Sequence, residues 1–385
     1  MKTVKIEIMK RIVSMLNLKQ IVKPTLLIDK TRALENIKRM MEKARLSNVR
    51  FRPHFKTHQS AAIGQWFSES GVEAITVSSV EMAGYFAAHG WNNITIAFPA
   101  NIREIDAINA LAKKVSLGLL VESMESIVFL ETNLTAPVDI WLKIDVGLFR
   151  TGINWDRVAE AFNLIEKMTG SAVLHFKGLL THAGHTYQAE STDRIREIYA
   201  DTVARLQSMK SGLARKGVNR LELSLGDTPS CRLVENIAGV DEIRPGNFVF
   251  YDAMQLNLGV CDETDIAVAV ACPIVAKHPA RNEVVIYGGA VHLSKDSLVD
   301  RRGQKIFGYV AMLHERGWSS MIPSAYVSSI SQEHGVVTAP DPVMKNLSIG
   351  DLIAVIPVHS CLVINLLRDY LSTDGIILTT MSSRE

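Results

Sequence analysis

The apolar positions of this chain change period twice. Residues 24–29 (Pro24-Thr25-Leu26-Leu27-Ile28-Asp29) read as a short strand, and behind them Leu34, Ile37 and Met41 recur at helical spacing among basic residues. Short β-branched runs then alternate with segments of helical period. Strands are expected at 49–52, 74–77, 94–98, 115–121, 138–144, 176–181, 221–225 and 242–244. The segments between them, at 61–67, 80–88, 102–112, 124–130, 156–167, about 192–215 and about 230–237, read as helices. The strands are apolar on both faces, as a buried parallel sheet requires. Eight β/α units in about 200 residues predict an α/β fold with a closed (β/α)8 TIM-type barrel. The alternative is an open doubly wound sheet. No Gly-x-Gly-x-x-Gly follows the first strand, and no Gly-x-x-x-x-Gly-Lys occurs.

Past about residue 262 the pattern becomes one of strands separated by turn residues. Strands are expected at 266–270, 283–286, 306–310, 326–329, 336–338, 352–356, 362–366 and 376–379, with no helix of useful length. The chain therefore divides into a leader (1–23), a barrel (24–262) and a C-terminal antiparallel β domain (263–385). The strand at 24–29 is a candidate to join the latter.

Composition adds limits. Apolar content of 47% and charged content of 21% are those of an ordinary globular protein. A formal net charge of +2 gives no basic excess for nucleic acid, and no apolar run reaches the length of a membrane span. The leader has no uninterrupted apolar core with a small-residue cleavage site. Cys231, Cys261, Cys272 and Cys361 lack paired spacing, which fits reduced thiols and a cytoplasmic location.

In a β/α barrel the loops after the strand C-termini build the site, and the unusual residues fall there. Arg52-Pro53-His54-Phe55-Lys56-Thr57-His58 follows the first barrel strand. Neighbouring positive charge and partial desolvation beside Phe55 would lower the pKa of Lys56 and make its amine nucleophilic, as a Schiff-base lysine needs. The alternative is a solvated basic loop. Asp145–Gly152, carrying Arg150, follows the fifth strand, and His182-Ala183-Gly184-His185-Thr186-Tyr187 follows the sixth. Gly226, Thr228, Gly246 and Asn247, after the seventh and eighth, suit a phosphate: the glycines admit close approach to backbone N–H groups, and Thr228 opens a helix. A lysine facing a phosphate cradle suggests pyridoxal 5′-phosphate. Arg150 would then face the pyridine nitrogen, which a guanidinium leaves largely unprotonated. Groups around His185 and Tyr187 would stack on the ring or move protons. In the second domain, Pro357-Val358-His359-Ser360-Cys361 places His and Cys two apart. On a strand these point to one face and would suit zinc or another divalent metal. The alternative is a buried cysteine beside a core histidine.

Together these motifs resemble the fold-type III pyridoxal-phosphate enzymes of the D-serine dehydratase and D-threonine aldolase family. The resemblance rests on residues 24–29, Arg52–His58, Asp145-x-Gly147-x-x-Arg150-Thr151-Gly152, Gly226-Asp227-Thr228-Pro229, Arg244-Pro245-Gly246-Asn247-x-x-x-Tyr251-Asp252, Gln332-Glu333-His334-Gly335 and Pro357-x-His359-x-Cys361. It implies an alanine-racemase-like barrel with a β domain, a homodimer, and a small D-amino acid substrate. Lys56 would be the cofactor lysine, with Tyr251 among the cofactor contacts and His359 and Cys361 as metal ligands. Two positions depart from the family pattern: Asp227, where a small neutral residue is common, and Val363, where Thr is frequent. The implied activity is dehydration of a D-3-hydroxyamino acid. A metal-dependent D-threonine aldolase, an amino-acid racemase and a non-catalytic pyridoxal-phosphate carrier are the alternatives. The His-x-Cys pair favours the dehydratase, because thiolate selects zinc over harder ions.

Overall fold

The computed structural model describes residues 15–300 and 302–383, so most of the leader lies outside the described residues. Strand β1 (Thr25–Ile28) leads into helix α1 (Lys30–Leu46), whose N-cap Asp29 accepts from Arg32 N. Then come β2 (Arg50–Phe51), α2 (Ala61–Glu69), β3 (Ile75–Val77), α3 (Val80–Ala88), β4 (Asn93–Pro99), α4 (Ile105–Ala112), β5 (Ser116–Val121) and α5 (Met124–Asn133). β6 (Val138–Asp145) is followed by the two-residue β7 (Ile153–Asn154) at its end, then α6 (Val158–Met168), β8 (Leu174–Thr181), α7 (Thr192–Ala214), β9 (Glu222–Leu225), α8 (Thr228–Leu233), β10 (Glu242–Ile243) and α9 (Ala253–Asn257). Ser79, Ser123 and Ser191 cap α3, α5 and α7, each accepting an N–H that the first helical turn would otherwise leave unpaired.

The parallel sheet runs β2-β10-β9-β8-β6-β5-β4-β3, the eight strands expected from the sequence. It closes on itself where Phe55 N donates to Thr76 O (2.8 Å) and Thr76 N to Pro53 O (2.9 Å). Closure therefore depends on the backbone just before Lys56. Below it, Arg52 donates to Glu242 at 2.8 Å, and Glu242 accepts from Ser224 Oγ at 2.7 Å, a buried network tying the first and last strands.

The second domain comprises β11 (Val268–His278), β12 (Glu283–Tyr287), α10 (Ala290–Leu293), β13 (Leu298–Val299), β14 (Lys305–Ile306), β15 (Gly308–His314), β16 (Gly317–Ile330), β17 (His334–Thr338), α11 (Asp341–Asn346), β18 (Leu352–Pro357), α12 (Ser360–Leu367), β19 (Asp369–Ser372) and β20 (Ile377–Thr379). Six strands close a barrel in the order β12-β17-β16-β15-β18-β11 and back to β12. β1 pairs antiparallel with β11 (Leu26 opposite Val270) and parallel with β19 (Leu26 opposite Tyr370), so the strand at the start of the described chain belongs to this sheet. The expected strand at 362–366 is instead helix α12. Its buried Val363 and Ile364 face the core, and Arg368 at φ +71° ends it. Among the described residues, no helix is long and apolar enough to cross a membrane.

The two domains meet at the Lys56 turn. The Tyr370 hydroxyl, fully buried, donates to His58 O at 2.6 Å, and Met381 N donates to Gln59 O at 2.8 Å. Tyr370→Phe leaves the His58 carbonyl buried without its donor, and should cost roughly 1–3 kcal/mol in denaturant unfolding. An unchanged unfolding midpoint would show that the hydroxyl does not hold the turn.

Candidate active site

Lys56 leaves the barrel closure in a tight turn, and the side chains around it point in opposite directions. Phe55 is fully buried, with ring centroids 5.0 Å from Phe67, 4.9 Å from Phe86 and 5.0 Å from Trp91. His58 packs in the same cluster, 4.3 Å from Phe55. Lys56 itself is exposed. Phe55 therefore does not desolvate the lysine, as adjacency in sequence had suggested; it anchors the turn that presents it.

Two imidazoles share the mouth with Lys56. His54 Nδ1 accepts from Lys56 N at 3.3 Å, and His182 donates from Nδ1 to Gly226 O, the tautomer a carbonyl partner dictates. Burial and then the Lys56 charge hold His54 well below the ordinary histidine value and bring His182 down to about 3. Both rings are neutral at physiological pH. His185 goes elsewhere. Four residues past the strand end, it faces α7, where burial and then the Arg205 charge lower its pKa. The imidazole brought to Lys56 from this loop is His182. Tyr187 lies nearby, its ring centroid 6.4 Å from that of His182, and its hydroxyl accepts from Thr228 N at 3.4 Å.

Arg150 is exposed on the loop after β6. Gly152, at φ +109°, folds that loop back onto β6, where a Cβ would lie 2.8 Å from Asp145 N. Asp145 Oδ1 accepts from Gly147 N and Leu148 N, both at 2.9 Å, so this carboxylate builds the turn. The guanidinium fixed inside the mouth is that of Arg244, only 4% exposed, donating through Nε to Ser224 Oγ (2.8 Å) and through Nη2 to Thr181 O. It lies against Gly226, where a Cβ would meet its Nη1 at 3.2 Å. The sequence placed it at the end of the eighth expected strand and gave it no role of its own. Lys143, on β6, is also buried; burial and the charges of Arg244 and Arg150 bring its pKa down to about 7.

The expected phosphate loops come together, with corrections. A Cβ on Gly246 would lie 2.8 Å from His54 O and 3.0 Å from Thr57 Oγ1, so this loop packs directly on the Lys56 turn. Thr228 Oγ1 accepts from Phe248 N at 3.2 Å, joining the two loops. The Asn247 amide is turned inward, donating to Asp252 Oδ2 (2.6 Å) and Ser360 Oγ (3.0 Å). The buried Tyr251, at φ +50°, has Arg232, Cys261, Asp265 and Arg39 among its charged and polar neighbours. Asp227 caps α8 instead of facing the loop, its Oδ1 accepting from Ser230 N (2.7 Å) and Thr186 Oγ1 (3.2 Å). The glycines let the two loops pack directly on Arg244 and on the His54 backbone, and the buried Arg244 guanidinium with the start of α8 forms a donor set that fits a phosphate.

The His359–Cys361 pair is built by a helix start and not by a strand. β18 ends at Pro357, His359 is the N-cap of α12, and Cys361 lies in its first turn. His359 Nδ1 donates to Asp296 Oδ2 at 3.0 Å, leaving Nε2 for a metal, and Cys361 Sγ is hydrogen-bonded to Thr57 Oγ1 at 3.4 Å. Burial pushes the Cys361 thiol up, but the His359 hydrogen bond and charge, with help from Lys56 and Thr57, hold it below the ordinary value. His359 is raised: Cys361, Asp252 and Asp296 outweigh its burial. Among the described residues no group of three or more His, Cys, Asp or Glu is placed to hold a metal ion, so a metal here would have two protein ligands and open positions. A softened thiol and a carboxylate-oriented imidazole fit zinc.

The fold and this lysine-centred mouth define the class of alanine-racemase-like barrels. The chain belongs to that family: the model for the alanine racemase N-terminal domain matches residues 28–253, and that for a putative serine dehydratase domain matches residues 267–373. It is 26% identical over 347 residues to the D-threo-3-hydroxyaspartate dehydratase of Delftia sp. (strain HT23), covering 88% of this chain and 90% of that one. The solved structure of that dehydratase has a TM-score of 0.86 and covers 94% of this chain and 98% of its own. The D-serine dehydratase of Dictyostelium discoideum is 28% identical over 374 residues, covering 90% of this chain and 92% of that one. The D-threonine aldolase of Arthrobacter sp. is 21% identical over 344 residues, covering 87% and 85%.

Asp227 yields a pH prediction. Burial raises its pKa from 3.8 to about 6. The folded state binds the proton more tightly, so this contribution to stability is full below about pH 4 and is lost as pH rises through 6. Asp227→Asn keeps a capping oxygen and cannot ionise. It should therefore be more stable than the parent at pH 8, by up to roughly 3 kcal/mol, with the difference shrinking toward pH 4. Equal destabilisation at both pH values would contradict this.

Proposed function

We propose that the protein is a pyridoxal-phosphate- and zinc-dependent lyase that dehydrates D-3-hydroxyamino acids such as D-serine, releasing a 2-oxo acid and ammonia. The observation that carries the proposal is the hydrogen bond between Cys361 and Thr57, which brings the His359–Cys361 pair to within one residue of Lys56. Pyridoxal phosphate, when bound, supplies an electron sink for charge developing at the substrate Cα. Zinc, when bound, supplies a Lewis acid for the departing β-hydroxyl.

This chain's residues do the rest. Lys56 bonds the cofactor and moves the Cα proton. Gly226, Thr228 and Gly246 receive the phosphate, with the backbone of Asn247. Arg244, buried beneath Gly226, and the neutral His182 frame the ring position, and Arg150 stands at the rim above them. Tyr187 offers its hydroxyl beside Thr228. His359 and Cys361 hold the metal, with Asp296 orienting the imidazole. The D-threonine aldolase likeness keeps retro-aldol cleavage as the second reading. Exposed Phe149 (84%) and Phe98 (57%), on the loops after β6 and at the end of β4, support a homodimer covering the mouth. Four free cysteines support a reducing, cytoplasmic location.

Products decide between the readings. With D-serine and D-threonine, pyruvate and 2-oxobutyrate are expected; glycine with acetaldehyde as the main products would overturn dehydration in favour of cleavage. Borohydride reduction should fix the cofactor to Lys56, and Lys56→Ala should lose roughly 10²–10⁴-fold in rate. A label on the buried Lys143 would contradict the assignment. Chelation, or Cys361→Ala, should abolish turnover while leaving the visible cofactor absorbance in place. Full activity in a metal-stripped sample would remove zinc from the account.

A further inference from the structure

Asp252 is fully buried, and among the described residues it forms no ion pair with Lys or Arg. The His359 imidazole is its charged neighbour; with no Lys or Arg on it, a carboxylate taken out of water depends on hydrogen bonds, and these come from both domains. Oδ1 accepts from Gln255 N at 3.0 Å, capping α9. Oδ2 accepts from Asn247 Nδ2 at 2.6 Å, from Ser360 N at 3.0 Å and from Ser360 Oγ at 3.1 Å. Asn247 follows Gly246 in the loop that packs on the Lys56 turn. Ser360 stands between His359 and Cys361, so its N–H and hydroxyl fix the start of the helix that carries both ligands. The Asn247 amide also donates to Ser360 Oγ at 3.0 Å, closing a three-membered network.

We infer that Asp252 is a positioning residue that couples the Gly246–Asn247 loop to the His359–Cys361 pair, so that filling either half of the site tightens the other. This rests on the functional reading above, because it takes the loop as the phosphate holder and the pair as the metal holder. A shift of either element costs Oδ2 a donor and leaves buried charge less compensated. A ligand that fixes the loop therefore removes part of the cost of ordering the ligand pair. By linkage the effect is reciprocal.

The test measures binding and not turnover. Zinc affinity of the metal- and cofactor-free protein is measured by chelator competition with and without saturating pyridoxal phosphate, and cofactor affinity with and without Zn²⁺. The parent protein should show the same coupling in both directions, roughly 5–20-fold, within the range of ordinary allosteric coupling. Asp252→Asn should bind both ligands with coupling below about twofold. Ser360→Ala, which removes one donor and keeps the carboxylate, should show an intermediate value and serves alone if Asp252→Asn does not fold. Undiminished coupling in both variants, or zinc affinity in the parent protein indifferent to the cofactor, would overturn the inference and leave the functional reading standing. Failure of the parent protein to bind either ligand would overturn both.

Discussion

A lysine on the rim of one barrel and a thiol at the edge of another can act on one small molecule only if the two barrels keep a fixed relation. That relation is set by what surrounds the Lys56 turn. β1 enters the antiparallel sheet before the chain begins the parallel barrel, so the second domain's sheet holds the chain on both sides of that barrel. Tyr370 and Met381 hold the carbonyls of His58 and Gln59, while Cys361 reaches Thr57. The segment that carries the lysine also closes the parallel barrel through Thr76. Phe55 and His58, buried among Phe67, Phe86 and Trp91, keep it from moving as a loop would.

The electrostatics of the mouth follow from burial. Lys56, Arg150 and Arg244 supply positive charge. His54 and His182, packed among these cations, stay neutral because protonation would add charge to an already positive, desolvated site. Asp227, on the loop expected to hold the phosphate, is turned into the α8 cap, where it accepts from Ser230 N. The result is a mouth suited to an anionic, aromatic group, bounded on the β-domain side by a softened thiol.

Most of the fold was legible because its cause is local. Buried parallel strands must be short, apolar on both faces and separated by helices, and residues 49–244 carry that pattern eight times. The failures lie where distant contacts decide. The run at 362–366, apolar except for Asn365, is too short for period alone to assign to strand or helix. What makes it helical is a start fixed by Asp252, 108 residues earlier in the chain. The sequence pointed to His185, yet it is His182 that sits at the strand end facing the mouth. Asn247 looks like a phosphate donor until Asp252 and Ser360 claim its amide. Arg244 stood at the end of the expected eighth strand without a role, and only closure of the barrel shows its guanidinium pointing inward.

The central claim is that the two domains build one site, with the metal bound by His359 and Cys361 beside the lysine turn. Anomalous diffraction at the zinc edge from crystals of the zinc-loaded protein tests it most directly. The account predicts a peak at about 2.0–2.3 Å from His359 Nε2 and Cys361 Sγ, on the side of α12 that faces Thr57 and Lys56. A peak elsewhere, or none at this pair in a protein that still dehydrates D-serine, would contradict it.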